Sequence, residues 1–181
     1  MMKELIENNP LKSFIHIESG IIPKDICRFV IDTIKNCSWS KHTWTNLKKN
    51  SFSYPTKEPD VLPITEDLDD ILNIFVSKSI KSYNNFIGEE KISQVTQFSL
   101  IRFNRYQKGQ IMRRHCDHIK SLFEDGVSGI PILSIIINFN DDYKVNLGEG
   151  DIIIFPSLFL FPHRVEEVTE NIRYSGVTWG V

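Results

Sequence analysis

From Ile92 to the carboxyl terminus the apolar residues stop recurring at helical spacing and begin to alternate. This change of period limits most strongly what the chain can fold into. Leu100, Arg102 and Asn104 alternate with Ile101, Phe103 and Arg105, a period of two that puts the two sets on opposite faces of a strand. Leu133 to Phe139 and Asp151 to Phe155 are short apolar runs, the pattern of buried strands. Arg114 to His118, Val165 to Val168 and Ile172 to Trp179 complete the series. Before Ile92, Ser13 to Ile17 reads as a short strand. Pro23 then opens a helix, where its missing N–H costs nothing, with Ile26, Phe29, Val30 and Ile34 on one face. A second helix is expected from Thr65 to about Phe86, with Leu68, Ile71, Leu72, Phe75, Val76, Ile80 and Tyr83 in its buried stripe and Asp67, Asp69 and Asp70 near its positive end. Two helices followed by serial strands predict an α+β protein whose β part is a sandwich or barrel.

Within the strand region, His115 and Asp117 are two residues apart, so both project from one face of a regular strand. His163 lies on a distant strand, and Arg173 follows ten residues later. Two imidazoles and one carboxylate on one side of a cation leave its other positions open, the ligand set expected of non-heme Fe(II). Arg173 supplies a permanent cation with a fork of donors suited to a carboxylate. His118 points to the opposite face if the strand stays regular, and support of the ligands or plain packing is its expected role. Cys116 should face away from the metal, which favours packing over redox chemistry. His16 and His42 lack partners in sequence and read as surface or loop residues.

At 181 residues, the chain is expected to form one domain, with a helical part over about 1–90 and a β core over about 92–181. A formal net charge of −2 provides no general attraction for nucleic acid or anionic membrane, and Lys48 and Lys49 read as a solvated loop. The polar start of the chain carries no signal-peptide pattern, and no apolar run reaches membrane-spanning length. Cys27, Cys37 and Cys116 form an odd set without metal-type spacing, so a reducing, cytoplasmic compartment is expected.

Arg105-Tyr106-Gln107-Lys108-Gly109-Gln110, followed by His115-Cys116-Asp117-His118, resembles the 2-oxoglutarate- and Fe(II)-dependent oxygenases, and more closely their prolyl-hydroxylase-like branch with its small viral and bacterial members. Gly150-Asp151-Ile152-Ile153-Ile154-Phe155-Pro156-Ser157, leading into Pro162-His163-Arg164-Val165, is similar to that branch's second ligand segment. Arg173-Tyr174-Ser175, with Trp179 beyond, is similar to its closing strand. The resemblance implies a double-stranded β-helix, a jelly-roll or cupin-like core, backed by amino-terminal helices. It also implies Fe(II) held by His115, Asp117 and His163, and 2-oxoglutarate held at its distal carboxylate by Arg173. Dioxygen would be the second co-substrate, and ascorbate a reductant. Tyr106 matches a tyrosine that bonds the co-substrate in many relatives; a buried aromatic on a core strand is the equally weighted alternative. Ser175 and Trp179 are candidate pocket-wall residues, with ordinary packing favoured for Trp179.

One departure stands out. In the family, a Gly-Gly-Glu-containing strand commonly follows an Asn-Asp-Asp-Tyr-like turn. Here Asn140-Asp141-Asp142-Tyr143 runs directly into Lys144-Val145-Asn146-Leu147. Either the minor sheet is reduced, or a segment absent from this sequence completes it. The second is preferred, since losing the strand would expose a sheet edge beside the active site. The resemblance implies hydroxylation of a peptide or protein, at proline, with succinate and CO₂ as co-products. The flanks Ser38 to Pro63 and Ile119 to Pro131 could cover an extended peptide. Alternatives are the same chemistry on a free amino acid, another small molecule or an alkylated nucleic-acid base, and a non-catalytic cupin-like metal-binding module. The base ranks last, because Arg173-Tyr174-Ser175-Gly176 lacks the second arginine typical of nucleic-acid demethylases.

Overall fold

The structure, a computed structural model, describes residues 10–46, 51–53, 57–63, 66–88, 95, 97–117, 122–124, 127–141 and 147–181. Lys48 and Lys49, His118 and the junction of Tyr143 with Lys144 lie outside the described residues.

A 3-10 turn over Pro10–Phe14 leads into β1 (His16–Glu18). Helix α1 (Lys24–Ile34) starts directly after Pro23, its N-cap residue. Four short strands follow: β2 (Ser40–Lys41), β3 (Trp44–Asn46), β4 (Ser51–Ser53) and β5 (Asp60–Pro63). Helix α2 spans Glu66–Ile87. The strand-rich part then runs through β6 (Arg102–Tyr106), β7 (Met112–His115), β8 (Leu122–Glu124), β9 (Val127–Gly129) and β10 (Leu133–Asn138). It closes with β11 (Ile152–Pro156), β12 (His163–Val165) and β13 (Arg173–Gly180). Seven strands form an antiparallel sheet in the order β1-β11-β10-β13-β6-β5-β2, while β12 pairs with β7 in a separate two-stranded sheet. The hairpins β3–β4 and β8–β9 stand apart from both.

Alternation divides the large sheet into two functions. Leu133, Ile135 and Ile137 of β10, Ile152 and Ile154 of β11, Phe103 of β6 and Tyr174 of β13 turn to one side. They pack with Cys27, Val30 and Ile34 of α1 and Leu68, Leu72, Val76, Ile80 and Tyr83 of α2. Each fully buried large aliphatic side chain there contributes roughly 1.5–3 kcal/mol through removal from water. Gly176 keeps this layer close, because a Cβ would sit 3.1 Å from Ile101 and 3.3 Å from Phe139. The opposite face carries Arg102, Asn104, Tyr106, Ile136, Ile153, Phe155, Arg173, Ser175, Val177 and Trp179, and it bounds a cavity closed on the far side by β7 and β12.

The Gly150-Asp151 pair has a structural basis. Gly150 has φ +84° and lies so close to Ile22 that a Cβ would run into that residue's carbonyl oxygen. Asp151 accepts hydrogen bonds from the Gly20 and Gly148 amides, both at 2.7 Å, which ties the turn before α1 to the start of β11.

Local expectations were met unevenly. Phe29 is 49% exposed and Cys27 takes its place in the core, because the buried line of α1 runs through Cys27, Val30 and Ile34 at spacings of three and four. The first strand starts later than expected, with residues 10–14 wound into the 3-10 turn. The polar stretch after Cys37 contains β2 to β5, and β5 bonds β6 in register. This encloses His42, which is only 8% exposed rather than a surface residue. His16 also has partners, bonding Glu18 at 2.8 Å and Ser82 at 3.2 Å.

Candidate active site

The antiparallel register of β7 and β12 sets His163 directly opposite His115, with ring centroids 4.3 Å apart. The strand ends at His115, shorter than the expected Arg114–His118, and the chain beyond it brings Asp117 back to the same side. Asp117 Oδ1 lies 3.2 Å from His115 Nε2 and 3.6 Å from His163 Nε2. One ligand atom from each residue falls within 4.8 Å of the others, a grouping that could hold a metal ion.

Backbone carbonyls orient both rings. Because a carbonyl only accepts, His115 Nδ1 donates to Arg113 O at 2.8 Å and His163 Nδ1 donates to Phe161 O at 3.2 Å. In the neutral rings the lone pair is then on Nε2, the atom nearest Asp117, which is the tautomer that metal ligation needs. Trp44 meets His115 edge-on at 5.2 Å and Phe155 meets His163 at 4.9 Å, so aromatic walls restrict both rings. The outer oxygen of Asp117 accepts from Ser134 Oγ at 2.8 Å, and Ser134 is itself 2.7 Å from Ser157 Oγ. Cys116 Sγ rests on the carbonyl of Phe159 at 3.4 Å.

The charges respond to this crowding. Burial opposes ionisation of Asp117, but hydrogen bonds from His115 and Ser134 and the adjacent His163 outweigh it, holding the carboxyl well below the usual carboxylate range. Burial pulls the His115 imidazole down, yet its bonds to Asp117 and to the Arg113 carbonyl more than offset this, and its pKa is raised. For His163 burial prevails over the attraction of Asp117, and its pKa is lowered.

Arg173 lines the same cavity from the large sheet. It is 4% exposed, stands in register with Tyr106 and carries its guanidinium 5.5 Å from that ring. Its Nε donates to Asn138 Oδ1 at 3.3 Å. The Asn138 amide cannot turn over without loss, since its Nδ2 donates to the carbonyls of Asn140, Leu147 and Gly148 at 2.8, 3.2 and 3.0 Å. Complete burial pushes the Tyr106 phenol up to about 12 despite the pull of Arg173, so it remains a neutral donor. Ser175 lies one row on, between Asn138 and Asn104. Trp179 stands opposite Ser134 at the end of the cavity where Ser134 bonds Asp117.

Arg102, Asn104, Ser134 and Asn138 are polar lining or supporting residues to which the sequence patterns gave no role. The alternation in 100–105 already put Arg102 and Asn104 on one face, which is the face of Tyr106; no residue pattern told which face would meet the cavity. Asn104 is 5% exposed, and its Oδ1 has no hydrogen-bond partner among the described residues, an unsatisfied buried atom that a polar ligand or its water would meet.

No protein-family model and no curated protein matches the sequence. Solved structures do match. A viral collagen prolyl hydroxylase from Paramecium bursaria Chlorella virus-1, in its 2-oxoglutarate complex, superposes with TM-score 0.63 at 12% identity, over 97% of each chain. A prolyl hydroxylase from Trichoplax adhaerens, bound to a hypoxia-inducible-factor peptide fragment, gives TM-score 0.67 at 12% identity over 99% of this chain and 88% of its own. The chain has the prolyl-hydroxylase fold. That fold is the double-stranded β-helix, and the large sheet and the β7–β12 pair are its two walls. It is shared more widely: HygX of Streptomyces hygroscopicus, with nickel, 2-oxoglutarate and hygromycin B bound, matches with TM-score 0.60 at 10% identity, over 92% of this chain and 82% of its own.

The donor set fits the group that the fold implies. Two imidazoles and a carboxylate suit Fe(II), and a buried arginine beside the neutral Tyr106 hydroxyl suits a dicarboxylate. Among the described residues, no helix is long and apolar enough to cross a membrane.

Proposed function

We propose that this chain is an Fe(II)- and 2-oxoglutarate-dependent hydroxylase of a peptide or protein, acting at proline, with residues 1–181 forming one oxygenase domain. The observation that carries the reading is the meeting of His115, Asp117 and His163 within 4.8 Å in the cavity that Arg173 also lines. In this reading the triad would hold the iron, and Arg173 would take the distal carboxylate of 2-oxoglutarate and restrict the co-substrate's orientation. Tyr106 and Ser175 bind the same co-substrate as neutral hydrogen-bonding groups. The iron, 2-oxoglutarate and dioxygen supply oxidative decarboxylation coupled to C–H hydroxylation: one oxygen atom enters the substrate and the other the new carboxylate of succinate, with release of CO₂. The protein's own part is to orient both imidazoles through Arg113 and Phe161 and to fix the carboxylate through Ser134. Apolar Ile136, Ile153, Phe155 and Val177 limit water in the cavity.

Proline as target draws on the two prolyl hydroxylases, one of them peptide-bound. The HygX likeness favours a second reading, in which the same chemistry serves a small molecule. We place the protein in a reducing cytoplasm, which the free thiols of Cys27, Cys37 and Cys116 support. The test is release of succinate from 2-oxoglutarate by purified protein with Fe(II), alongside proline-containing peptides followed by mass spectrometry, with ascorbate omitted as a control. Succinate that depends on Fe(II), and is lost in His115→Ala, is the expected result. Metal binding without any turnover would leave a cupin-like binding module instead.

A further inference from the structure

An apolar turn joins the two walls of the cavity at the end where the triad sits. β11 leaves the large sheet at Pro156, opposite Leu133, and the chain re-enters as β12 at His163. The next residue of β10 is Ser134, the donor to Asp117, so the crossing lies beside the triad. Arg173 and Tyr106 face each other at the far end of the sheet. A reverse turn closes the crossing, with the Phe161 amide donating to Leu158 O at 3.0 Å. Such turns ordinarily carry Gly, Asn, Asp or Ser. This one carries Leu158, Phe159 and Leu160, which are 40%, 69% and 47% exposed.

The backbone of the turn is fixed while its side chains face outward. Ser157 Oγ is 2.7 Å from Ser134 Oγ, the donor to Asp117. Phe159 O accepts from the thiol of Cys116, the residue between His115 and Asp117, at 3.4 Å. Phe161 O receives the Nδ1 hydrogen of His163. Ile130 is 55% exposed at the same end of the sheet, because the Ser157 amide donates to Ile132 O and carries the β10–β11 pairing outward. Four of the ten exposed large apolar side chains among the described residues thus gather beside the triad. Single exposed apolar residues need no explanation; a group of them marks a surface that binds something.

We propose that this rim docks a polypeptide substrate through an apolar residue a few positions from the one that is hydroxylated. The inference rests on the oxygenase reading above and narrows it. Buried Arg173 and Tyr106 fill the far end of the cavity, so a C–H bond that reaches the triad enters past the rim. An extended chain advances about 3.3 Å per residue, so side chains two or three positions from the target sweep the rim beside Cys116. A free amino acid has nothing to place there. Four partly exposed side chains fall well short of the ~800 Å² that each partner buries in a stable dimer. Residues 156–163 contain no Lys or Arg, the charges with which an apolar loop holds an anionic membrane.

The test separates docking from activity. Protein loaded with Mn(II) and 2-oxoglutarate selects from a displayed library of random short peptides, and the enriched peptides are titrated individually. They should carry Leu, Ile, Phe, Val or Met at a fixed spacing from a common residue. Phe159→Ser should weaken them by at least about tenfold, and Phe159→Leu should keep most of the affinity. Affinities for Mn(II) and 2-oxoglutarate should stay native in both variants. No enrichment, enrichment without an apolar position, or peptide affinity unchanged in Phe159→Ser overturns the proposal. A loss of Mn(II) affinity in Phe159→Ser also overturns it, by making the side chain part of the triad's support. So does a native dimer that becomes monomeric when Leu158, Phe159 and Leu160 are all replaced by serine, or vesicle binding that the same variant loses. Those outcomes assign the rim to a second copy, or to lipid when phosphatidylcholine–phosphatidylglycerol vesicles are the probe. Absence of succinate from the Fe(II) protein would count against the oxygenase reading alone, since the selection needs no turnover.

Discussion

Ser134 Oγ lies 2.8 Å from Asp117 Oδ2, while Oδ1 of the same carboxylate is the oxygen beside both imidazoles. One serine on the large sheet thus sets the rotation of a ligand held on the opposite wall. Outer hydrogen bonds of this type typically change metal affinity by about 10- to 100-fold when removed. Ser134→Ala should therefore weaken Co(II) or Mn(II) binding by that order while leaving the far-ultraviolet circular dichroism unchanged. Unaltered affinity would mean that Asp117 is oriented by something else.

Metal uptake should depend on pH through His115. Its pKa is raised in the metal-free protein, so a cation must displace a proton from it below that value. Affinity should rise with pH, by about tenfold per unit while His115 is protonated, and level off above its pKa. Calorimetry in buffers of differing ionisation enthalpy measures the protons released. A pH-independent affinity from pH 6 to 8 would contradict the raised value.

His42 offers a stability test with a definite sign. Burial, with Arg102, His115 and Arg113 nearby, lowers its pKa from 6.5 to about 4, and these effects outweigh Glu58 Oε2 at 3.6 Å. The unfolded chain takes up this proton near 6.5 and the folded one only near 4. Stability is therefore full above about 6.5 and is lost as pH falls towards 4, with a slope of up to about 1.4 kcal/mol per unit from this residue. Urea unfolding at several pH values, compared with His42→Gln, isolates that slope. Parallel curves for the two proteins would refute it.

Two glycines of positive φ should respond differently to alanine. Gly20 has φ +61° and open space around it, whereas Gly150 has φ +84° and the Ile22 carbonyl in the way. Gly20→Ala should cost about 1 kcal/mol from backbone strain, and Gly150→Ala clearly more, since β11 and the turn before α1 must also separate. Chemical denaturation of both variants checks the order.

What the sequence made legible follows from physical range. His115, Asp117, His163 and Arg173 could be grouped because a two-residue step on a strand fixes relative direction, and a mixed donor set has few other uses. The helices were found from their apolar spacing, although Phe29 shows that one hydrophobic residue in a short helix can face outward. Arg102 and Asn104 were set on one face by alternation, yet both faces of β6 are covered, so period alone could not tell cavity from core. The burial of His42 and Glu58 depends on β2 and β5 joining the sheet, a pairing between distant segments that polar two- to four-residue strands do not announce.

The strand order has a consequence for how the chain reaches this state. Among the described residues, both borders of the seven-stranded sheet come from the first third of the sequence, with β1 against β11 and β2 beyond β5. His16 meets Ile154 across a separation of 138 positions in the sequence. β1 can therefore dock only after β11 has been made. Loop-closure entropy must be overcome before those contacts return anything, which is the signature of slow, topology-limited folding. Until they dock, β11 presents an open, isoleucine-rich margin to any other nascent chain, and the amino-terminal segment acts as the clasp that ends that exposure.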